Sequence, residues 1–403
     1  MSSRSRLVMQ GVIALVVLLI AGAAFAFLAL PSMVEANLNR VTVPGPYSHG
    51  PTAYQIHVRA TVVDLHSDAL LWNRNLLVRQ NRGHVDVPRL AEAGVALQVF
   101  SAVTKTPKNQ NYESNGADTD NITALAILQR WPRPTWDSTL QRALYQAQQL
   151  HEYADNSMRV LRVIEDRASL DEFIQGRLPR RYRVSGLLAI EGLHCLEGKI
   201  ENVDVLFKAG YRMMGLTHFF DNELGGSAHG LEKGGITEFG RQVVKRMEEL
   251  GIIVDLAHAS PQLFDDVLAM ATRPLVVSHT GVRAVCDNAR NLDDDQLRAV
   301  AANGGVVGIG FWDAAICDVS VEGIVKSIQH AISVAGIEHV ALGSDFDGAT
   351  TTPFDASGIP KITEALMLEG MSHEDIRAVL GGNAFRVISE GIPPGEPGQQ
   401  TEE

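Results

Sequence analysis

Cysteine is nearly absent from this chain: Cys195, Cys286 and Cys317 are the three it has in 403 residues. None is spaced as Cys-x-x-Cys, which argues against a thiolate zinc site. Basic blocks are missing as well, and the net charge is −12. With no stripe of lysine and arginine to track a phosphate backbone, nucleic acid is excluded as a partner. Charged residues make up only 20% of the chain against 45% hydrophobic, the balance of a globular protein with a large core.

Glycine is plentiful at 36 residues, which suits a fold with many short turns, and the length falls in the range of a single barrel domain. At the start, Arg4 and Arg6 precede an apolar run from Leu7 to Leu30 broken only by Gln10. About 20 apolar residues cross a bilayer core, and positive charge before the run leaves the N-terminus in the cytoplasm and sends the remainder across. The run exceeds the roughly 7–15 apolar residues of a cleaved signal. It therefore reads as an uncleaved signal-anchor, with a cleaved signal peptide as the competing reading. A buried core helix fits poorly, because the run has no polar face.

The expected division is residues 1–6 cytoplasmic, 7–30 transmembrane, 31–51 a linker around Pro44-Gly45-Pro46, 52–390 one folded catalytic domain and 391–403 a disordered tail. The domain then lies outside the cytoplasm, periplasmic or extracellular, or is secreted if the segment is cleaved. Such compartments permit a disulfide, although spacing alone pairs no cysteines.

Within the body, eight short apolar runs recur between helical patterns: Thr61–Leu65, Val95–Phe100, Gly186–Ile190, Tyr211–Leu216, Ile252–Leu256, Leu275–Val277, Val306–Phe311 and Val340–Gly343. Continuous apolar runs without alternation predict strands buried on both faces. Thr237 to Leu250, Asp293 to Ala302 and Val321 to Ala335 read as amphipathic helices, the first stopped by Gly251. Eight strand–helix repeats predict an α/β fold, a (β/α)₈ TIM barrel behind one N-terminal transmembrane helix. An open doubly wound sheet is the alternative.

Polar residues fall just after the apolar runs, at the rim where barrel active sites are built. The run ends carry Asp64, His66 and Asp68; Glu191; His218; Asp255 and His258; His279; and Asp345 and Asp347. Period-two geometry places Asp64, His66 and Asp68 on one side. A single histidine of this kind is ordinarily a hydrogen-bonded core residue; the recurrence at strand after strand is not. Acids buried together without a cation pay desolvation and repulsion, and imidazoles with carboxylates are zinc ligands. Two zinc ions fit: His66 with Asp68 for one, His258 with His279 for the other, Glu191 bridging, and an open position for a shared hydroxide.

The ordered set His66-x-Asp68, Ala189-Ile190-Glu191-Gly192, Leu216-Thr217-His218, Val254-Asp255-Leu256-Ala257-His258, Val277-Ser278-His279-Thr280, Arg290-Asn291 and Gly343-Ser344-Asp345-Phe346-Asp347-Gly348 resembles the membrane (renal-type) dipeptidases, peptidase family M19. The resemblance runs from about Asp64 to Val387. It implies a zinc-dependent dipeptidase with a metal-bridging hydroxide, tolerant of a D-residue at the C-terminal position. It also implies that His218 meets the scissile carbonyl, that Arg290 binds the dipeptide's free carboxylate, and that Asp345 moves the proton. It further implies a Cys286–Cys317 disulfide, with Cys195 a lone buried thiol.

The partners expected are a dipeptide substrate and, through the N-terminal helix, a membrane, with a homodimer left open. Asp64 reads as an acid orienting a ligand, Asp347 as a turn residue, and His194 as a candidate pocket residue. His57, His229 and His373 read as surface or loop histidines. The segments Thr104 to Thr123 and Asn222 to Gly235 are expected to shape specificity. Two rival functions are another binuclear amide or ester hydrolase of the amidohydrolase barrel class and an inactive membrane-tethered binding protein. Against the first stand His-x-Asp instead of His-x-His and the lack of a lysine at the third and fourth strand ends. Against the second, no expected ligand or working group is missing.

Overall fold

Each of the eight apolar runs becomes a strand of one ring. In the computed structural model, which describes residues 3–177 and 181–395, these are β1 (Val62–Ser67), β2 (Val95–Val103), β3 (Val184–Glu191) and β4 (Tyr211–Gly215), then β5 (Ile253–Asp255), β6 (Val276–Thr280), β7 (Val306–Ile309) and β8 (Val340–Leu342). All neighbours pair in parallel, and β8 returns to β1 through Leu342 opposite Asp64, closing a (β/α)₈ barrel. A short strand, Leu161–Val163, adds to the outside of β3. Arg162 sits at its centre and interrupts the apolar pattern.

Side chains of β1–β3 are buried along their whole length. Val63, Leu97, Leu187, Met213 and Ile253 cluster with Ala384, Val387 and Ile388 of the helix Asn383–Gly391. Residues of opposite parity, such as Phe100, Leu188 and Met214, pack with the outer helices. The helix Asn383–Gly391 begins beside the carbonyl of Thr61 next to Gly381 and ends against Ile253 beside Gly391, so it crosses one end of the barrel from β1 to β5. The opposite end stays available for chemistry.

Local signals set the helix ends. Thr237 caps Glu238–Leu250 by accepting from Gly240 N, and Gly251 closes it at a φ of 70°. Asp293 and Gln296 form a reciprocal capping box at the start of Asp294–Ala302.

One strand departs from simple alternation. Between Asp64 and Ser67, β1 advances three residues while β2 advances two, from Gln98 to Phe100. This bulge separates Asp64 from His66. Asp64 accepts hydrogen bonds from Ser344 N and Oγ at 2.8 and 2.7 Å and from Gln98 Nε2 at 2.8 Å, while His66 and Asp68 turn to the open end of the barrel. The expectation that all three share one side is corrected accordingly.

The segment expected as a linker is folded. Helix Leu30–Leu38 buries Pro31 and Glu35, strand Arg40–Val41 pairs in parallel with Thr351–Thr352, and helix Pro51–His57 follows. A buried acid bound by arginines and a strand pairing drive this, and neither shows in local composition. The tail expected to be disordered from residue 391 is ordered at first: Ile392 is buried, and Pro393 and Pro394 carbonyls accept from Arg167 N and Ala168 N at 2.8 and 3.2 Å. Residues 396–403 lie outside the described residues. Two histidines read as surface groups are core groups instead. His57 bridges Thr363 Oγ1 and the Ala93 carbonyl at 2.7 Å each, and His229 stacks on Phe219 with ring centroids 4.9 Å apart.

Near the N-terminus, the helix Ser3–Leu28 is long and apolar enough to cross a membrane, with an 18-residue stretch of mean hydropathy 2.9; a signal sequence has the same character.

β7 and β8 approach closely at glycine. A Cβ on Gly343 would lie 1.9 Å from the Ser278 carbonyl oxygen and 3.0 Å from Gly308 Cα. Gly343→Ala is expected to destabilise the fold by about 1–3 kcal/mol through overpacking. A urea unfolding curve of the detergent-solubilised chain checks this, and an unmoved midpoint would contradict it.

Candidate metal centre

The barrel's open end gathers its polar groups around Glu191, the last residue of β3. Glu191 Oε1 lies 2.8 Å from His258 Nε2, 3.1 Å from His279 Nε2 and 3.8 Å from His66 Nε2. Its other oxygen is 3.1 Å from His218 Nε2. Asp68 Oδ1 and Asp345 Oδ1 approach His66 Nε2 at 3.4 and 3.9 Å. All the predicted ligand and working side chains are buried in this one cluster, with Arg290 completing it 3.3 Å from His258 Nε2.

Local backbone geometry aims these groups. Gly192 follows Glu191 at a φ of 89°, and a Cβ there would meet His194 Nδ1 at 2.7 Å and His218 Cβ at 3.0 Å. His258 and Asp345 adopt φ of 63° and 59°, a left-handed conformation that costs an L-residue roughly 1–2 kcal/mol. Neighbours hold both in place. Ala228 N and Thr217 Oγ1 donate to the His258 carbonyl at 2.8 and 3.2 Å, and Thr350 Oγ1 donates to that of Asp345 at 2.8 Å.

Burial dominates the electrostatics. It pushes the carboxyls of Glu191 and Asp68 well above their ordinary range, with repulsion from Asp68 adding at Glu191 and repulsion from Asp347 adding at Asp68. Asp345 is pushed up to about 8, chiefly by burial, with His66 opposing and Asp68 adding repulsion. Burial likewise keeps His218, His258 and His279 neutral, well below the usual imidazole value.

This donor set fits a cation. His66 Nε2 and Asp68 Oδ1 are buried with no hydrogen-bond partner, a costly state for polar atoms unless something coordinates them. Three overlapping trios have ligand atoms within 4.8 Å of one another: His66, Glu191 and His279; Glu191, His218 and His258; and His66, Asp68 and Asp345. Glu191 belongs to two of them, and His218 stands as near to Glu191 as the histidines expected to be ligands.

Several supporting groups were not assigned from sequence. Ser278 Oγ donates to Asp255 Oδ2 at 2.5 Å and sits 2.9 Å from His279 Nδ1, so Asp255 fixes His279 through a serine. The signal was present in Asp255, an acid at a strand end. Asp64, which the sequence does mark as an orienting acid, holds Ser344, whose hydroxyl oxygen lies 3.0 Å from the His66 carbonyl oxygen. Asp347 is more than a turn residue: it accepts from His84 N and Val85 N at 2.7 and 3.1 Å and pairs with buried Arg74. Trp312 Nε1 donates to Tyr112 Oη at 3.0 Å, and the Arg290 guanidinium lies 5.4 Å from the Trp312 ring centre. His194 does not line the cavity; its Nε2 is paired with Thr104 Oγ1 at 2.8 Å.

A cavity of about 510 Å³ opens over the cluster, a size suited to a small ligand. Thr106, Gln110, Tyr112, Asn121 and Ile122 place the loop after β2 on its wall. The Asn222 to Gly235 stretch stands behind that loop, with the His229 carbonyl accepting from Asn115 N at 2.8 Å. Cys286 and Cys317 are disulfide-bonded with Cα atoms 5.3 Å apart, tying the loop after β6, which carries Arg290, to the loop after β7. Cys195 is buried and unbonded.

The membrane dipeptidase family, peptidase family M19, matches residues 51–392. The chain belongs to that family. Its enzyme class is therefore dipeptidase, on a site built for metal. Among curated relatives, a dipeptidase, aclJ, from Aspergillus oryzae is 28% identical over 367 residues, covering 85% of this chain and 81% of the relative. Among solved structures, the M19 metallopeptidase dipeptidase AC superposes with a TM-score of 0.69 at 24% identity, over 83% of this chain and 99% of that one. A Rhodobacter sphaeroides metallopeptidase, bound to a phosphinate mimic of L-Ala-D-Ala, has a TM-score of 0.67 at 24% identity, over 82% and 99%. These structural likenesses show the shared barrel.

Since Ser278 links Asp255 to His279, Ser278→Ala is expected to weaken metal retention about 10–100-fold. Competition against a graded chelator, read by metal analysis of the dialysed protein, checks this; wild-type retention would remove the role.

Proposed function

We propose that this protein is a zinc-dependent dipeptidase that cleaves the peptide bond of free dipeptides at the mouth of its barrel. The observation that carries the reading is the convergence of His66, Asp68, His258 and His279 on Glu191, with buried donor atoms left unpartnered. His66, Asp68 and Glu191 would hold one ion, and Glu191, His258 and His279 the other. When bound, the pair would act as Lewis acid toward the scissile carbonyl and lower the pKa of a water between them.

The chain's own residues supply the rest. Arg290, buried and fixed by donating to the His279 carbonyl at 2.7 Å, presents a planar cation to the substrate's free carboxylate. This selects peptides that end one residue beyond the scissile bond. His218, held neutral by burial, offers a ring N–H to the carbonyl oxygen as negative charge develops there. Asp345, at the edge of the cluster and lining the cavity, takes a proton from the attacking water on Oδ1 and returns it to the leaving amine. Tolerance of a D-residue at the C-terminal position belongs to the same reading, as does an N-terminal helix that anchors the domain outside the cytoplasm.

Chelation followed by zinc readdition is expected to abolish and restore dipeptide hydrolysis; activity surviving complete metal removal would sink the mechanism. Arg290→Ala is expected to raise KM for dipeptides with a smaller effect on kcat, and Asp345→Asn to lower kcat by about 10²–10⁴. Steady-state kinetics on L-Ala-L-Ala and L-Ala-D-Ala read all three. A preference for N-blocked or longer peptides would defeat the dipeptidase assignment.

A further inference from the structure

The family match begins at residue 51, yet side chains before that point reach the active-site cavity. Val34 and Leu38, on the helix Leu30–Leu38, line it together with Leu71, Trp72, Ile122 and Leu125. Val34 packs directly on the small cluster of Leu71, Trp72 and Ile122, whereas Leu38 is 40% exposed at the rim.

The helix is fastened there. Glu35 is 2% exposed and pairs with Arg74 and, at 2.7 Å, with Arg82 Nε. Arg74 in turn binds Asp347, two residues beyond Asp345. Asn39 Oδ1 accepts from Ala349 N at 2.9 Å, and Arg40 N and Thr42 N donate to the Thr350 and Thr352 carbonyls at 3.1 and 2.9 Å. Gly348, Ala349 and Thr350 also line the cavity. An acid buried by two arginines, followed by a strand pairing, holds Val34 and Leu38 in register with the site.

The position of this wall has a chemical meaning. Leu71 and Trp72 follow β1, and Ile122 and Leu125 follow β2. Arg290 follows β6, across the ring from β2. A dipeptide whose carboxylate meets Arg290 and whose carbonyl lies over the metal cluster directs its N-terminal residue toward β1 and β2.

We propose that Val34 and Leu38 are specificity-determining residues. They form the outer part of an apolar subsite for the side chain of the dipeptide's N-terminal residue and favour a large apolar group there. This rests on the dipeptidase reading above. One missing methylene in an apolar pocket changes discrimination by about 10–200-fold, so replacing two apolar walls has a readable effect.

The test uses the full chain in detergent with zinc and compares kcat/KM for Leu-Ala against Ala-Ala, and for Ala-Leu against Ala-Ala. In the double variant Val34→Ser, Leu38→Ser the first ratio is expected to fall at least about tenfold, mainly through KM, with the second ratio unmoved. Val34→Phe, which fills the subsite, is the second arm: it is expected to lower the first ratio without adding a polar group to the wall. An unchanged Leu-Ala to Ala-Ala ratio in active variants overturns the inference alone, as does a shift confined to the Ala-Leu ratio. If the serine variant is inactive on every peptide, the phenylalanine arm decides. A wild-type chain that hydrolyses none of the three peptides overturns the dipeptidase reading, and this inference with it.

Discussion

Three carboxylates, Asp68, Glu191 and Asp345, are buried within reach of the same histidine at the mouth of one barrel. Water does not stabilise their charge there, and hydrogen bonds do not satisfy Asp68 Oδ1. Most of the surrounding architecture serves to hold these groups together despite that cost. The left-handed turns at His258 and Asp345 spend local stability to aim a side chain, and the serine between Asp255 and His279 and the serine held by Asp64 fix the neighbours of the cluster by hydrogen bonds. A cation at Glu191 turns the same arrangement from repulsive to attractive.

Much of this was legible in the sequence because barrel periodicity and chemistry coincide at strand ends. The eight apolar runs became eight strands, and the residues just beyond them became the cluster. What local pattern could not show was contact between distant segments. Glu35, Asn39 and Arg40 look like parts of a spacer until Arg74, Ala349 and Thr350 are brought beside them. A one-residue bulge is equally silent: nothing in Asp64-Leu65-His66 reveals that the alternation breaks and sends Asp64 to Ser344. His57 and His229 look like surface groups in the sequence for the same reason, since their partners Thr363 and Phe219 come from elsewhere in the fold.

The site divides into a rigid floor and a more composite wall. The floor is built from strand ends fixed by barrel closure and from the disulfide-linked loops after β6 and β7. The wall combines the long connection after β2, the turn after β8 and the helix Leu30–Leu38. The part matched by the family supplies the floor and most of the wall, and the helix Leu30–Leu38, outside that part, supplies the rest of the wall.

The pairing of Arg40–Val41 with Thr351–Thr352 also orders events in time. Asn39 and Ala349 are 310 residues apart, and at about 5–20 residues per second roughly 15–60 s separate their synthesis. The earliest-made part of the folded domain therefore waits, without its partner strand, until the last barrel strand has emerged. The clustered histidines and carboxylates carried by β1 through β6 are all present before that moment, but Asp345 and the strap that flanks it are not. The mouth of the barrel is therefore the last part of the fold to close, after the strand ends that carry His66, Glu191, His258 and His279 have been made.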